Sequence, residues 1–184
     1  MIHFFLLLLS VKLSYSQTFS IKTNEALNNL TNAVTKNSIL ENSNIKGSPY
    51  FSPKFALANI KYFDLEIIGE SYLRYNAYSD EIEMGLNPNQ ESSSEALLKN
   101  NRISCSFAGE DYFYLPFIDK NNQTKLGYLI ALHKGAKYLL LQQKRKIYRE
   151  ATIPRTSLER AFPARFTEEF NYYLGIEETT PVYI

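Results

Sequence analysis

The chain has 184 residues, a formal net charge of +1, 45% apolar residues and 14% aromatics. Near-neutrality removes any overall field that would draw it to nucleic acid or an anionic membrane. The apolar content suffices for one ordinary core and excludes global disorder, while seven Gly and seven Pro exclude a fibrous or low-complexity chain.

The N-terminus reads as an address. Phe4, Phe5 and Leu6 to Leu9 form a short apolar run, and Ser14-Tyr15-Ser16 places small residues at −3 and −1 of a cleavage before Gln17. The n-region departs from the pattern, with His3 but no Lys or Arg. The run falls short of the ~20 residues that span a bilayer, and Lys12 interrupts it. Residues 1–16 are therefore expected to be a signal peptide on an exported protein, in the periplasm, at the cell surface or secreted. The mature chain then keeps one histidine, His133, and one cysteine, Cys105. One cysteine closes no internal disulfide. One His and one Cys do not make the usual structural zinc sites, so neither metal nor cofactor is expected.

Residues 17–46 read as a helix and linker. Leu27, Leu30 and Val34, with Ala26 and Ala33, share one face at helical spacing over 23–38, and Thr23 suits an N-cap. From residue 47 the period becomes two, and 47–184 is expected to be an antiparallel β domain. Strands are predicted over 56–63, 65–68, 71–76 and 81–86, with Gly69-Glu70 as a two-residue hairpin turn. Residues 87–95 suit a solvated loop. In 102–107, Ile103, Cys105 and Phe107 point inward, which makes Cys105 a small core hydrophobe. Strands over 112–118, 126–133 and 137–148 follow as a meander, with turns at 119–122 and 134–135. His133 lies mid-strand facing outward, and no Gly-x-Ser-x-Gly elbow accompanies it. A helical turn is expected within 157–161 and a strand over 169–174. The apolar ending Pro181-Val182-Tyr183-Ile184 suits a strand at a sheet edge, or a chain that stops short of its native C-terminus.

The stretch 71–83 holds the densest mix of Tyr, Arg, Asn and carboxylates. Arg74, Tyr75, Asn76, Tyr78, Asp80 and Glu81 are the candidate ligand-binding residues. Tyrosine offers stacking area with a polar tip, and Arg, Asn and carboxylates orient hydroxyls or a peptide backbone. The plainer alternative is structural: Arg74 pairs with Asp80 or Glu81 across a β-bulge, and Tyr75 packs beneath. Alternation places Ile82 and Met84 in the core and Glu81 and Glu83 outside. Asp80, Glu81 and Glu83 leave room for an oxygen-ligand calcium site, without EF-hand spacing. Paired carboxylates admit a glycan hydrolase, from Asp80 or Glu81 with Glu66 or Glu70, or from Glu110 with Asp111. The basic cluster Lys144-Arg145-Lys146 with Arg149 reads as a solvated sheet face or a protected edge, with attraction to anionic envelope polymers as the alternative, not as a nucleic-acid groove.

Leu73-Arg74-Tyr75-Asn76 and Asp80-Glu81-Ile82-Glu83, with Gly47-Ser48-Pro49-Tyr50 upstream and Pro163-Ala164-Arg165-Phe166 and Tyr172-Tyr173-Leu174 downstream, resemble a group of small exported β-rich proteins of unknown function from Bacteroidota. The resemblance covers about 47–175 and implies export and a β fold; it carries no activity. Members of that group often continue with a Lys-rich helical tail.

The expected fold is mainly β, an antiparallel meander curled into a small barrel or sandwich, with one N-terminal amphipathic helix. The expected role is a non-enzymatic, envelope-associated binding or accessory protein whose partner is an envelope glycan or protein. The alternatives are a structural or assembly protein using a sheet edge, and a carboxylate-dependent glycan hydrolase.

Overall fold

The computed structural model describes residues 29–35, 44–154, 156, 160–177 and 179–184. Eleven strands follow one another: β1 (Thr31–Ala33), β2 (Ala56–Tyr62), β3 (Leu65–Asn76), β4 (Glu81–Gly85), β5 (Glu95–Leu97), β6 (Ile103–Phe107), β7 (Glu110–Ile118), β8 (Thr124–Lys134), β9 (Tyr138–Arg149), β10 (Arg165–Ile176) and β11 (Val182–Tyr183). They join one sheet in the order β1-β5-β4-β3-β2-β6-β7-β11-β10-β9-β8, and β8 also pairs with β7. All pairings between strands are antiparallel except the short contact of Val182 with Ile118. Short connections and period-two sequence leave antiparallel pairing as the natural outcome.

The second half curls on itself. β7 pairs with β8, β8 with β9, β9 with β10, β10 with β11, and β11 touches β7 again. Pro116 sits where β7 can tolerate it: pairing with β6 has ended at Phe113, and contact with β11 starts at Ile118. β7 and β8 serve two cores. Tyr112, Tyr128 and Ile130 face a large cluster with Ile60, Leu73, Ile82, Leu97 and Ile103. Phe117 and Leu129 face a small one inside the curl, with Leu141 and Tyr173. Cys105 is a buried free thiol in the larger cluster.

Two elements differ from expectation. β3 runs unbroken from Leu65, and the hairpin turn is Phe63–Asp64, both with positive φ of 50° and 62°. That is the twist a two-residue hairpin needs. Arg102 holds the turn by lying over the Phe63 ring at 4.4 Å and accepting the Phe63 N–H through its carbonyl at 3.0 Å. Gly69 instead lies in an irregularity, because residues 68–70 face Asn59 alone between the pairs Ala58–Ser71 and Ile60–Ile67. Within the expected N-terminal helix, the described residues form strand β1, paired with β5 through Thr31–Leu97 and Ala33–Glu95. Leu30, just before this edge strand, still reaches the core. The β-branched Thr31, Val34 and Thr35 favour that outcome. The rest of that stretch, and most of the helical turn expected within 157–161, fall outside the described residues.

On the face of β3 and β4 turned away from the large core lies the segment 49–55. A Cβ on Gly85 would stand 2.8 Å from the Phe55 ring, so only glycine lets that ring seat. Gly85→Ala should therefore cost about 1–3 kcal/mol by overpacking, read as a lower urea midpoint, and adding Phe55→Leu should recover part of the loss.

Candidate functional site

The hairpin of β3 and β4 is built to reach across the sheet. Its turn, residues 77–80, fixes the register Asn76–Glu81, Tyr75–Ile82 and Arg74–Glu83. Asn76 Oδ1 accepts the N–H groups of Tyr78 and Ser79, both at 3.2 Å, which shapes the turn. Asp80 closes it with a φ of 54°, a conformation that Asp tolerates better than most residues.

The turn enters a split between β8 and β9. These strands pair from Ile130–Gln142 to Lys134–Leu139 and are not paired in the other direction. Continuing that register would set Tyr128 against Lys144. Instead the Tyr128 N–H donates to both Asp80 carboxylate oxygens at 3.3 Å. The Tyr75 hydroxyl lies 2.7 Å from Asp80 Oδ1 and 3.2 Å from the Lys144 carbonyl. The Lys146 N–H donates to the Ala77 carbonyl at 3.0 Å. A Cβ on Gly127 would come within 3.0 Å of Asp80 Oδ2, so glycine admits the carboxylate. Tyr75, Tyr112, Tyr114 and Tyr128 pack ring to ring beneath, with centroids 5.2–6.1 Å apart for the pairs Tyr114–Tyr128 and Tyr75–Tyr128. Burial lifts the Asp80 carboxyl above its ordinary range, while the Tyr75 hydroxyl and Tyr128 N–H partly restore it.

Arg74 anchors the other face of the hairpin. It is 3% exposed and pairs with Glu83, itself 2% exposed, through Nε at 3.1 Å. Its guanidinium also donates to the Pro53 and Glu91 carbonyls and to the Tyr50 hydroxyl at 2.8, 3.2 and 3.1 Å. The rings of Tyr50 and Phe55 lie 3.9 and 4.2 Å from it. Glu83 further accepts from the Tyr50 hydroxyl and from Asn76 Nδ2 at 2.9 Å. Burial and the Glu83 carboxylate push the Tyr50 hydroxyl far above its usual range. This is a filled cluster, and its partner is Glu83, not Asp80 or Glu81. Glu83 and Glu81 are buried, where alternation alone places them outside, because segment 49–55 covers the first and Thr35 caps the second. Asp80, Glu81 and Glu83 thus answer to three separate partners and form no joint cation site. The expected carboxylate pairs are also separated. Glu110 takes Lys144 and the Tyr112 hydroxyl, Asp111 takes Ser106 and Lys134, and Glu66 and Glu70 lie on the exposed surface.

Two of the six candidate residues, Tyr78 and Asp80, line a cavity of about 650 Å³ inside the curl of the second half. Arg74 and Tyr75 border a smaller one of about 220 Å³. Asn76 and Glu81 border neither. The large cavity is made mostly by residues that the hairpin-centred reading passes over. Along one face of β9, Leu139 and Leu141 give way to Gln143 and Arg145, after which apolar Ile147 precedes Arg149. β10 supplies Thr167, Glu169, Asn171 and Tyr173 from the facing register. That shift of one strand face from apolar to polar was the available signal. Gln143 and Asn171, 9% and 8% exposed, sit side by side where core meets cavity. Gln143 Oε1 accepts from Asn171 Nδ2 at 3.4 Å and from the Tyr173 hydroxyl at 3.3 Å. Burial, with Asp119 nearby, pushes that hydroxyl up to about 12. Of the basic cluster, read from sequence as a solvated face, Lys144 and Lys146 are instead largely covered on the opposite face of β9, against Phe51 and paired with Glu110 and Glu168, while Arg145 faces into the cavity.

Arg74→Met should cost about 3–5 kcal/mol, because it strands a buried carboxylate, and Arg74→Met with Glu83→Met should cost less than the single change; chemical denaturation of both variants tests the reversal. Asp80 supplies a pH test. Its carboxyl ionises less readily in the fold than in the unfolded chain, so its contribution to stability falls as pH rises from about 3.9 through the folded value, then levels. The stability difference between wild type and Asp80→Asn should shift against wild type over that window; a difference constant with pH would refute it. Compared with known proteins, the chain matches no family model, no curated protein and no solved structure.

Proposed function

We propose that this chain is an exported, non-enzymatic binding protein of the cell envelope, and that its ligand site is the cavity inside the curled half. The observation that carries this reading is the cavity itself. About 650 Å³ lies within the ~300–1,000 Å³ usual for small-molecule sites. It is floored by the paired amides of Gln143 and Asn171 and the Tyr173 hydroxyl, and walled by Tyr78, Phe117 and Tyr183. Aromatic surface beside amide and hydroxyl groups suits a hydroxylated ligand such as an envelope glycan fragment. Asp80 orients the turn that carries Tyr78 to the rim. The signal-like N-terminus and the resemblance to exported Bacteroidota proteins support the address. Among the described residues, no helix is long and apolar enough to cross a membrane.

Titrating the purified chain with soluble glycan fragments by calorimetry should show saturable binding that Gln143→Leu with Asn171→Leu weakens at least tenfold; no binding by wild type would sink the reading for those ligands. Export is tested separately: expressed in a Gram-negative host, the mature protein should begin at Gln17 by mass spectrometry.

A second reading, self-assembly, has its own observation. Tyr172, Ile176, Tyr138, Val182 and Ile184 are all exposed on the outer face of β9, β10 and β11, where the register sets Ile176 beside Tyr138 and Leu174 beside Val182. A contiguous apolar face of this kind marks interaction surfaces. Sedimentation equilibrium should show a dimer that Tyr172→Ser with Ile176→Ser returns to monomer if this reading holds.

A further inference from the structure

We propose that the cavity's ligand is an anionic sugar, one bearing a carboxylate or a phosphate, a deepening that rests on the binding function above. The argument is a surplus of donors in the lining. Four carboxylates border the cavity, and each is already claimed. Asp80 is taken by the Tyr75 hydroxyl and the Tyr128 N–H. Asp119 accepts the N–H groups of Asn121 and Gln123, both at 2.9 Å, to hold its own turn. Glu168 is paired at 2.7 Å with Lys146, which projects from the other face of β9. Glu169 is shared between Lys120 at 3.8 Å and Arg145 at 3.7 Å, so two cations converge on one carboxylate.

The cations are not used up in the same way. Lys125 and Arg149 also line the cavity, and neither has an ion-pair partner among the described residues. Gln143 spends its carbonyl oxygen on Asn171 and Tyr173, which leaves its Nε2 donors for a guest. A lysine carries three donors and an arginine five, with no acceptor on either. A guest must therefore bring acceptors and negative charge to match Lys125, Arg149 and the underused parts of Lys120 and Arg145. Hydroxyls on the guest suit the rest of the polar lining, which includes the amide pair, Asn121, Thr167 and the side chains of Tyr78, Tyr173 and Tyr183. Arg is suited to grip a carboxylate or phosphate in its fork, and Lys to hold it as a point charge.

The test compares D-glucose, D-glucuronate and glucose 6-phosphate as probes by NMR chemical-shift titration of the full chain. Either or both anions should bind at least about tenfold more tightly than glucose, the scale of one charge-assisted hydrogen bond, and the preferred anion identifies the carboxylate or the phosphate. Their affinity should fall as salt is raised. Lys125→Gln with Arg149→Gln should cut the preference at least several-fold while leaving the urea midpoint unchanged, since both side chains are exposed; an unchanged preference would overturn the assignment. If glucose binds as tightly as the anions, the charge assignment is wrong and the cavity remains a sugar site. If none of the three binds, the proposal fails together with the sugar-binding reading it rests on.

Discussion

Two neighbouring strands that part must find other partners for their backbone groups, and the way β8 and β9 do so governs this structure. A buried N–H or carbonyl left without a partner costs about 1–3 kcal/mol. Beyond Ile130 and Gln142 the two strands cease to pair, and the interior of the curl opens. The Tyr128 N–H, the Lys144 carbonyl and the Lys146 N–H would all be stranded there. One distant hairpin meets them: Asp80 accepts the Tyr128 N–H, the Ala77 carbonyl accepts the Lys146 N–H, and the Tyr75 hydroxyl, shared with Asp80, stands 3.2 Å from the Lys144 carbonyl. A carboxylate suits this place because it accepts from several donors at once. Its cost is desolvation, visible in the raised proton affinity of Asp80.

The wedge works only if the hairpin is held rigidly, and that is the part played by the Arg74 cluster. A buried ion pair seldom stabilises a fold more than apolar packing would. What it does supply is direction. The guanidinium fork reaches two backbone carbonyls, a carboxylate and a hydroxyl, and its faces take two rings. Segment 49–55 is thereby tied to β3 and β4, and the Ala77 N–H is fixed to the Pro49 carbonyl at 3.0 Å. One end of the turn is thus bonded to a covering segment, and its far end is bonded to β8. The hairpin joins the two cores by polar contacts, while β7 and β8 join them by sharing apolar residues on opposite faces.

Much of this was legible from alternation. Strands β2, β4, β6, β7, β8 and β9 lie close to where period-two patterning places them, because each has at least one buried face that pins its register. The misplacements have physical causes. Gly69-Glu70 has the chemistry of a turn, but Phe63–Asp64 wins because Arg102 stabilises its left-handed backbone from another loop. Thr31–Ala33 lies in a stretch, 23–38, with a helical spacing of apolar residues, yet an open edge at β5 offers backbone partners that an isolated helix face does not. Glu81 and Glu83 alternate as solvent-facing residues; only a segment some thirty residues away in sequence, Tyr50 in particular, makes the second one buried. The partner of Arg74 was within reach: a turn over 77–80 sets Asn76 against Glu81 and hence Arg74 against Glu83.

The candidate site was less legible, and the reason is instructive. A cavity inside a curl is lined by residues that alternate along strands far apart in the chain, so no single stretch concentrates them. The 71–83 stretch drew attention by its density, but density there reflects internal satisfaction: Arg74, Asn76, Glu81 and Glu83 spend their polar groups on one another and on the covering segments. A site for a ligand requires the reverse, polar groups whose capacity is not exhausted. By that criterion Gln143, Arg145 and Arg149, on a β9 face that is apolar at Leu139 and Leu141 and keeps only Ile147 apolar beyond them, outweigh the hairpin. In the proposed site the hairpin's share is indirect. By filling the split it lets β8 and β9 stand apart, and the space between them and β10 is where a guest has room to lie.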